Sequence, residues 1–164
     1  MDIGIAGEVA YAEPVIRKQI LIDELVGIAP LGLLSADAGS VSREVFARHS
    51  LLVGPEGSST RMIAERCLAR AGYRAARIWT FDSSEAIKRA VADGIGVSFI
   101  SQLLVGDEIQ RGDLVPFCIS RLERMTRPIY VVQPSLAELT PQAARFAALM
   151  MDAHRAPASS ASGS

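Results

Sequence analysis

Three short apolar runs, Leu51–Gly54 (LLVG), Ala75–Phe81 (AARIWTF) and Ile95–Ser101 (IGVSFIS), alternate with two stretches of helical periodicity, and nothing else constrains the fold as tightly. Strands separated by whole helices cannot pair as hairpins. They build a largely parallel sheet through right-handed crossovers, with helices on both faces. The first helical stretch, PEGSSTRMIAERCLARAG, repeats apolar residues at Ile63, Cys67 and Ala71, with Ala64 and Leu68 beside them. Arg61, Glu65, Arg66 and Arg70 are expected mainly on its outer side. Ser58 or Ser59 stands where a cap belongs, and Gly72 ends the helix. The second stretch carries Ile87, Ala90 and Val91 on one face and stops at Gly94. Asp82 and Glu85 are three apart, the spacing of a capping box with Asp in the Ser/Thr role.

The rest of the chain extends the same α/β order. Asp2–Ala6 is a short strand. Val15–Pro30 is extended, rich in β-branched residues, and stopped by Pro30. VSREVFARHS (41–50) is a short helix capped by Ser42, and QLLVGDEIQRGD (102–113) is another helix. LVPFCI (114–119) and RPIYVVQP (127–134) are strands, with Pro116 marking an edge. LTPQAARFAALMMDAHR (139–155) is the clearest helix, with Thr140 as cap and Pro141 at its first position. Residues 156–164 have the composition of a disordered tail.

Composition removes several classes of function. Apolar residues make up 49% of the 164, enough for a core. A net charge of −1 argues against nucleic-acid binding through a basic face of this chain. No apolar run reaches the ~20 residues a membrane span needs, and the start lacks the pattern of a signal peptide. Cys67 and Cys118 sit in apolar patterns without metal-ligand spacing. Two reduced core thiols in a cytosolic protein, with no metal and no cofactor, are expected. His49 and His154 are the two histidines, and neither stands near a nucleophile motif. No acid/base carboxylate pair or phosphate-binding loop is visible either, so an enzyme is the weaker class.

Binding features are better represented. In open α/β sheets, ligands collect at the carboxyl ends of strands, beside helix N-termini whose free N–H groups suit anions. Ser58, Ser59 and Thr60 stand at one such helix start; one hydroxyl suffices for a cap, and capping is the favoured reading there. Asp82, Ser83 and Ser84 stand at the next. An unpaired Asp82 would repel an anion, so Ser83 and Ser84 are the better ligand candidates. Trp79, on the preceding strand, is expected to pack rather than to serve as a stacking platform.

LLVGPEGSSTRMIAERCLARAGY (51–73), then DSSEAIKRAVADGIGVSFIS (82–101), GDLVPF, RPIYVVQP and LTPQAARFAALM, taken in that order, resembles the effector-binding (substrate-binding) domain of LysR-type transcriptional regulators. DIGIAGE (2–8) and DELVGIAP (23–30) match the family's preceding strands, so the likeness runs from Asp2 to about Arg155. The resemblance implies a type 2 periplasmic-binding-protein-like fold. Two α/β lobes with mostly parallel sheets are joined by two crossover strands, and a small effector sits between them. Lobe II would be 24–127. Lobe I would combine 1–23 with 128–155 and be incomplete, because the family's winged helix-turn-helix, linker helix and first strands have no counterpart here. The crossings would fall near Ile22-Asp23-Glu24 and Arg127-Pro128.

The resemblance also implies site residues and partners. Effector contacts would come from Asp82, Ser83 and Ser84, from Ala6, Gly7 and Glu8, and from Ser101, which borders the cleft. Many relatives carry a hydroxyl where Gly7 stands, so only backbone groups could bind there. A small, anionic or carboxylate metabolite is the implied ligand. The implied state is a cytoplasmic homo-oligomer, dimer or tetramer, that meets DNA only through the missing N-terminal domain and has no membrane contact. The alternative is a solute-binding protein of a transport system, which should carry a secretory leader.

Overall fold

The computed structural model describes residues 3–7, 14–33, 40–119, 124–135 and 139–153. Its elements run β1 (Gly4–Ala6), β2 (Val15–Pro30), β3 (Ser40–Val41), α1 (Arg43–Phe46), β4 (Ser50–Val53), α2 (Ser59–Arg70) and β5 (Arg77–Thr80). Then follow α3 (Ser84–Ala92), β6 (Val97–Ser101), a 3-10 turn (Gln102–Leu104), α4 (Gly106–Arg111), β7 (Leu114–Ile119), β8 (Met125–Pro134) and α5 (Pro141–Ala153). Asp2, Glu8, His154 and the expected tail at 156–164 lie outside the described residues.

The chain divides into two compact units, Met1–Ile22 with Pro128–Ser164, and Asp23–Arg127. Strands β2 and β8 are continuous through the two points where the division falls. In the first unit β1 lies antiparallel to β8, with Ile5 opposite Val131. Ile20, Val131 and Ala147 form its buried cluster, with Ile3, Leu21, Ile129 and Met150 against it. Helix α5 begins as its sequence dictates: the Ala143 N–H donates to Thr140 Oγ1 at 3.2 Å, and Pro141 takes the first position.

The Asp23–Arg127 unit is a three-layer α/β sandwich. Strand β4 runs parallel to both β5 and β6, which forms the expected parallel part of the sheet. Strand β2 runs antiparallel to β6 on one side and to β7 on the other. Strand β3 joins β7 only over Cys118–Ile119, so Pro116 stays at the sheet's margin. Successive strand residues point to opposite faces. Leu51, Val53, Val97 and Phe99 therefore pack on Ala64 and Leu68 of α2. Leu52 and Ile100 pack on Ile87, Ala90 and Val91 of α3. Both faces are covered, which is why these strands carry apolar residues on both faces, with Ser50, Ser98 and Ser101 the exceptions. Each large side chain so buried contributes about 1.5–3 kcal/mol. Gly27 sits opposite both Phe99 and Phe117, and a Cβ there would stand 2.7 Å from the Phe117 carbonyl oxygen. Only glycine lets β2 pass between its neighbours.

Several expectations are corrected. Residues 102–113 are not one helix: the chain breaks into a 3-10 turn and α4 around the fully buried Val105. Lys88 of α3 meets the Leu104 carbonyl at this break, donating to it at 2.9 Å and to Glu108 Oε1 at 2.7 Å. Trp79 is 49% exposed and Ile78 55%, because β5 is the margin of the unit's sheet and, among the described residues, pairs only with β4. Cys118 is exposed and Cys67 half-buried; both are free thiols, and Cys118 is no core residue. No described helix is long and apolar enough to cross a membrane.

Candidate functional site

In the parallel pair β4–β5, Val53 is opposite Thr80, and the Phe81 N–H donates to the Val53 carbonyl at 2.9 Å. Gly54-Pro55 and Asp82-Ser83 therefore leave the sheet side by side at its carboxyl end. The N-termini of α2 and α3 converge on the space above. It is a cavity of about 110 Å³ whose polar lining comes from Ser58, Thr60, Arg61, Asp82, Ser83 and Ser84. The sequence candidates at the two helix starts, Ser59 apart, thus share one site.

Within it the roles differ from those expected. Helix α3 begins at Ser84, and Ser83 is its cap, with extended backbone (φ −146°, ψ 153°) and Oγ accepting the Ala86 N–H at 3.2 Å. Asp82 lies one residue too early to cap, so the Asp82/Glu85 capping box does not form. Glu85 instead pairs with Lys88 at 2.7 Å. Among the described residues, the side chains of Asp82 and Ser84 have neither a hydrogen-bond nor an ion-pair partner, and both line the cavity.

At α2 the favoured capping reading is also corrected. Ser58 holds the cap position but its hydroxyl makes no cap bond. Ser59 Oγ and Thr60 Oγ1 each accept from Arg127 Nη1 at 2.8 Å. Among the described residues, no side-chain hydroxyl caps the first N–H groups of α2. Arg61 does not face outward. Its side chain is 16% exposed; Nε donates to Glu65 Oε1 at 2.8 Å and Nη1 to the Gly54 carbonyl at 3.3 Å, which brings a guanidinium to the cavity wall.

Ser101 is buried and engaged elsewhere. Its Oγ donates to Asp23 Oδ1 at 2.7 Å and accepts the Leu103 N–H at 3.2 Å. Asp23 Oδ2 accepts from Arg127 Nε at 2.8 Å. Gly7 follows β1 as a bend in the first unit, and Glu8 lies outside the described residues. Sequence reasoning missed the role of Arg61, and it named Asp23 and Arg127 only as crossing points, not as partners of each other or of Ser101, Ser59 and Thr60. For Arg61 the signal was present: it is the third residue of a helix that opens on hydroxyls, close enough to fold back over its own N-terminus. Arg127 and Asp23 are 104 positions apart and carried no local signal.

A family model described as LysR substrate binding domain matches residues 1–155. The chain is 35% identical over 127 residues to the HTH-type transcriptional regulator CbbR of Sinorhizobium medicae, covering 69% of this chain and 41% of the relative. It thus spans about two fifths of the length of that relative. The regulatory domain of CcmR from Synechocystis PCC6803, solved with 2-PG, is similar in fold: TM-score 0.79, 24% identity, 94% of this chain and 74% of that one. The effector-binding domain of QuiR, solved with shikimate, gives a TM-score of 0.77 at 16% identity, covering 93% and 71%. These likenesses identify the type 2 periplasmic-binding-protein-like fold. The match across nearly the whole length, with the relative at 35% identity, shows that the chain belongs to the LysR substrate-binding domain family.

Proposed function

We propose that this chain is the effector-sensing domain of a LysR-type transcriptional regulator, and that it holds a small hydroxylated anion where α2 and α3 begin. One observation carries the reading: two helix N-termini, the Arg61 guanidinium and the side chains of Asp82 and Ser84, which have no partner among the described residues, meet at a single cavity. Helix N-termini and a guanidinium suit a carboxylate or phosphate. Asp82 suits the opposite need. As an acceptor-only group it takes a ligand O–H or N–H and rejects a second anionic group. A metabolite with one acidic end and one hydroxyl end satisfies both.

The ligands solved with the CcmR and QuiR domains, 2-PG and shikimate, are small molecules and support this class. We assign ligand contacts to Ser58, Thr60, Arg61, Asp82, Ser83 and Ser84. For Gly7 and Glu8 the support is the family resemblance alone. Ser101 and Ser59 act through their bonds to Asp23 and Arg127. In the regulator we place DNA recognition in a separate winged helix-turn-helix, and the working state in a cytoplasmic homo-oligomer. The family match favours the regulator over the solute-binding alternative. Titration of the chain with small hydroxy-carboxylates and sugar phosphates, read by calorimetry, tests the assignment. Saturable binding weakened by Ser84→Ala supports it, and heats no larger than dilution across the panel contradict it.

A further inference from the structure

The chain enters the Asp23–Arg127 unit at Asp23 and leaves it at Arg127. These two residues are joined by an ion pair of 2.8 Å, with side chains 2% and 16% exposed. Burying charges this deeply is a poor source of stability, because desolvation offsets most of the attraction. The network around the pair gives it a different use. Asp23 Oδ1 holds Ser101 at the end of β6. Arg127 Nη1 holds Ser59 and Thr60 at the start of α2. A hydroxyl has a single proton and accepts through its oxygen. With the Thr60 oxygen occupied by a guanidinium N–H, its proton must be donated elsewhere, and Thr60 lines the cavity. The guanidinium also polarises that O–H, so the cationic charge reaches the cavity without Arg127 touching a ligand.

We propose that Arg127 is a positioning residue. It turns Thr60 into a donor for an anion in the cavity, and through Asp23 it transmits occupancy to the two points where the chain enters and leaves the unit. This rests on the reading of the cavity as an anion site. An anion that accepts from Thr60 strengthens the Arg127–Thr60 bond, and by linkage favours whichever arrangement of Asp23 and Arg127 maintains it. Ser59 serves as the second anchor that fixes the guanidinium plane.

The test uses inorganic phosphate as the probe and the whole 164-residue chain, followed by hydrogen–deuterium exchange. Phosphate is expected to slow exchange in segments 58–62 and 83–86, and also in 19–25 and 124–130. In Thr60→Val, binding weakens about tenfold and protection of 19–25 and 124–130 is lost while that of 83–86 remains. Thr60→Ser, which restores the hydroxyl, recovers both. Arg127→Lys keeps the charge but not the forked geometry, and behaves as Thr60→Val does. The Thr60 pair decides the matter even if Arg127→Lys fails to fold. Wild-type protection of 19–25 and 124–130 in Thr60→Val would overturn the inference and leave the anion site standing. Absence of protection at 58–62 and 83–86 in the wild-type chain would overturn both.

Discussion

Ser83 Oγ accepts the Ala86 N–H at 3.2 Å, and this bond makes Ser83 the cap of α3. Asp82 is thereby released to face the cavity. Two adjacent residues of the cavity wall thus differ: Ser83 caps the helix as well as lining the cavity, whereas Asp82 lines the cavity without a cap role. Ser83→Ala should lower stability by about 1 kcal/mol. Asp82→Ala should leave stability within about 0.5 kcal/mol while changing ligand preference towards molecules lacking a hydroxyl. Urea denaturation of both variants checks the first half, and competition binding checks the second.

Removing one member of the Asp23–Arg127 pair strands the other in the interior. Asp23→Asn should cost about 3 kcal/mol, the usual penalty for breaking a buried pair. Replacing both residues, as Asp23→Leu with Arg127→Met, should recover most of that stability without recovering anion binding. A double-mutant cycle in urea reads the coupling.

Stability should fall on both the acid and the alkaline side through one cluster. The hydrogen bond from Lys88 holds Glu108 below its ordinary value of 4.5. Its contribution is present above 4.5 and is lost as pH falls through the lowered folded-state value. Glu108, then Glu85, raise Lys88 above 10.5. That contribution is present below 10.5 and is lost as pH rises through the raised value. Glu108→Gln should flatten the acid limb of a stability–pH curve and lessen the alkaline loss. An unchanged acid limb would remove Glu108 from the account.

Gly27 has no room for a methyl group between Phe99 and Phe117. Gly27→Ala should destabilise the chain by about 2 kcal/mol, in the range for overpacking. Thermal melting checks this, with Gly57→Ala as a control for strain without crowding, since its φ of +83° is unfavourable but nothing lies near its Cβ.

Much of this architecture was legible because the signals are local. Leu51-Leu52-Val53 and Phe99-Ile100 are apolar at successive positions, which marks strands covered on both faces, and β4 and β6 are those strands. Thr140-Pro141 and Ser42 act on N–H groups three residues away, and both caps form. The failures are equally physical. Arg-Ile-Trp-Thr at 77–80 alternates as a strand should, but nothing in it says that β5 pairs on one side only and leaves Trp79 open. Asp82 and Ser83 can both cap, and the choice depended on where the chain left β5. A helical wheel sends Arg61 outward, whereas its long side chain bends back to the Gly54 carbonyl. Arg127 acts on Ser59 and Thr60 across 68 and 67 positions, a relationship that exists only once the chain has folded.

The proposed function stands on recognition of an anion by one cavity at the starts of α2 and α3. Its most direct measurement is calorimetric titration of a single hydroxy-carboxylate or sugar-phosphate ligand into the wild-type chain, Arg61→Gln and Ser84→Ala. Saturable one-to-one binding is expected, weakened about tenfold or more in each variant by loss of a charge-assisted contact, with both variants folded. Equal affinity in all three proteins would contradict it.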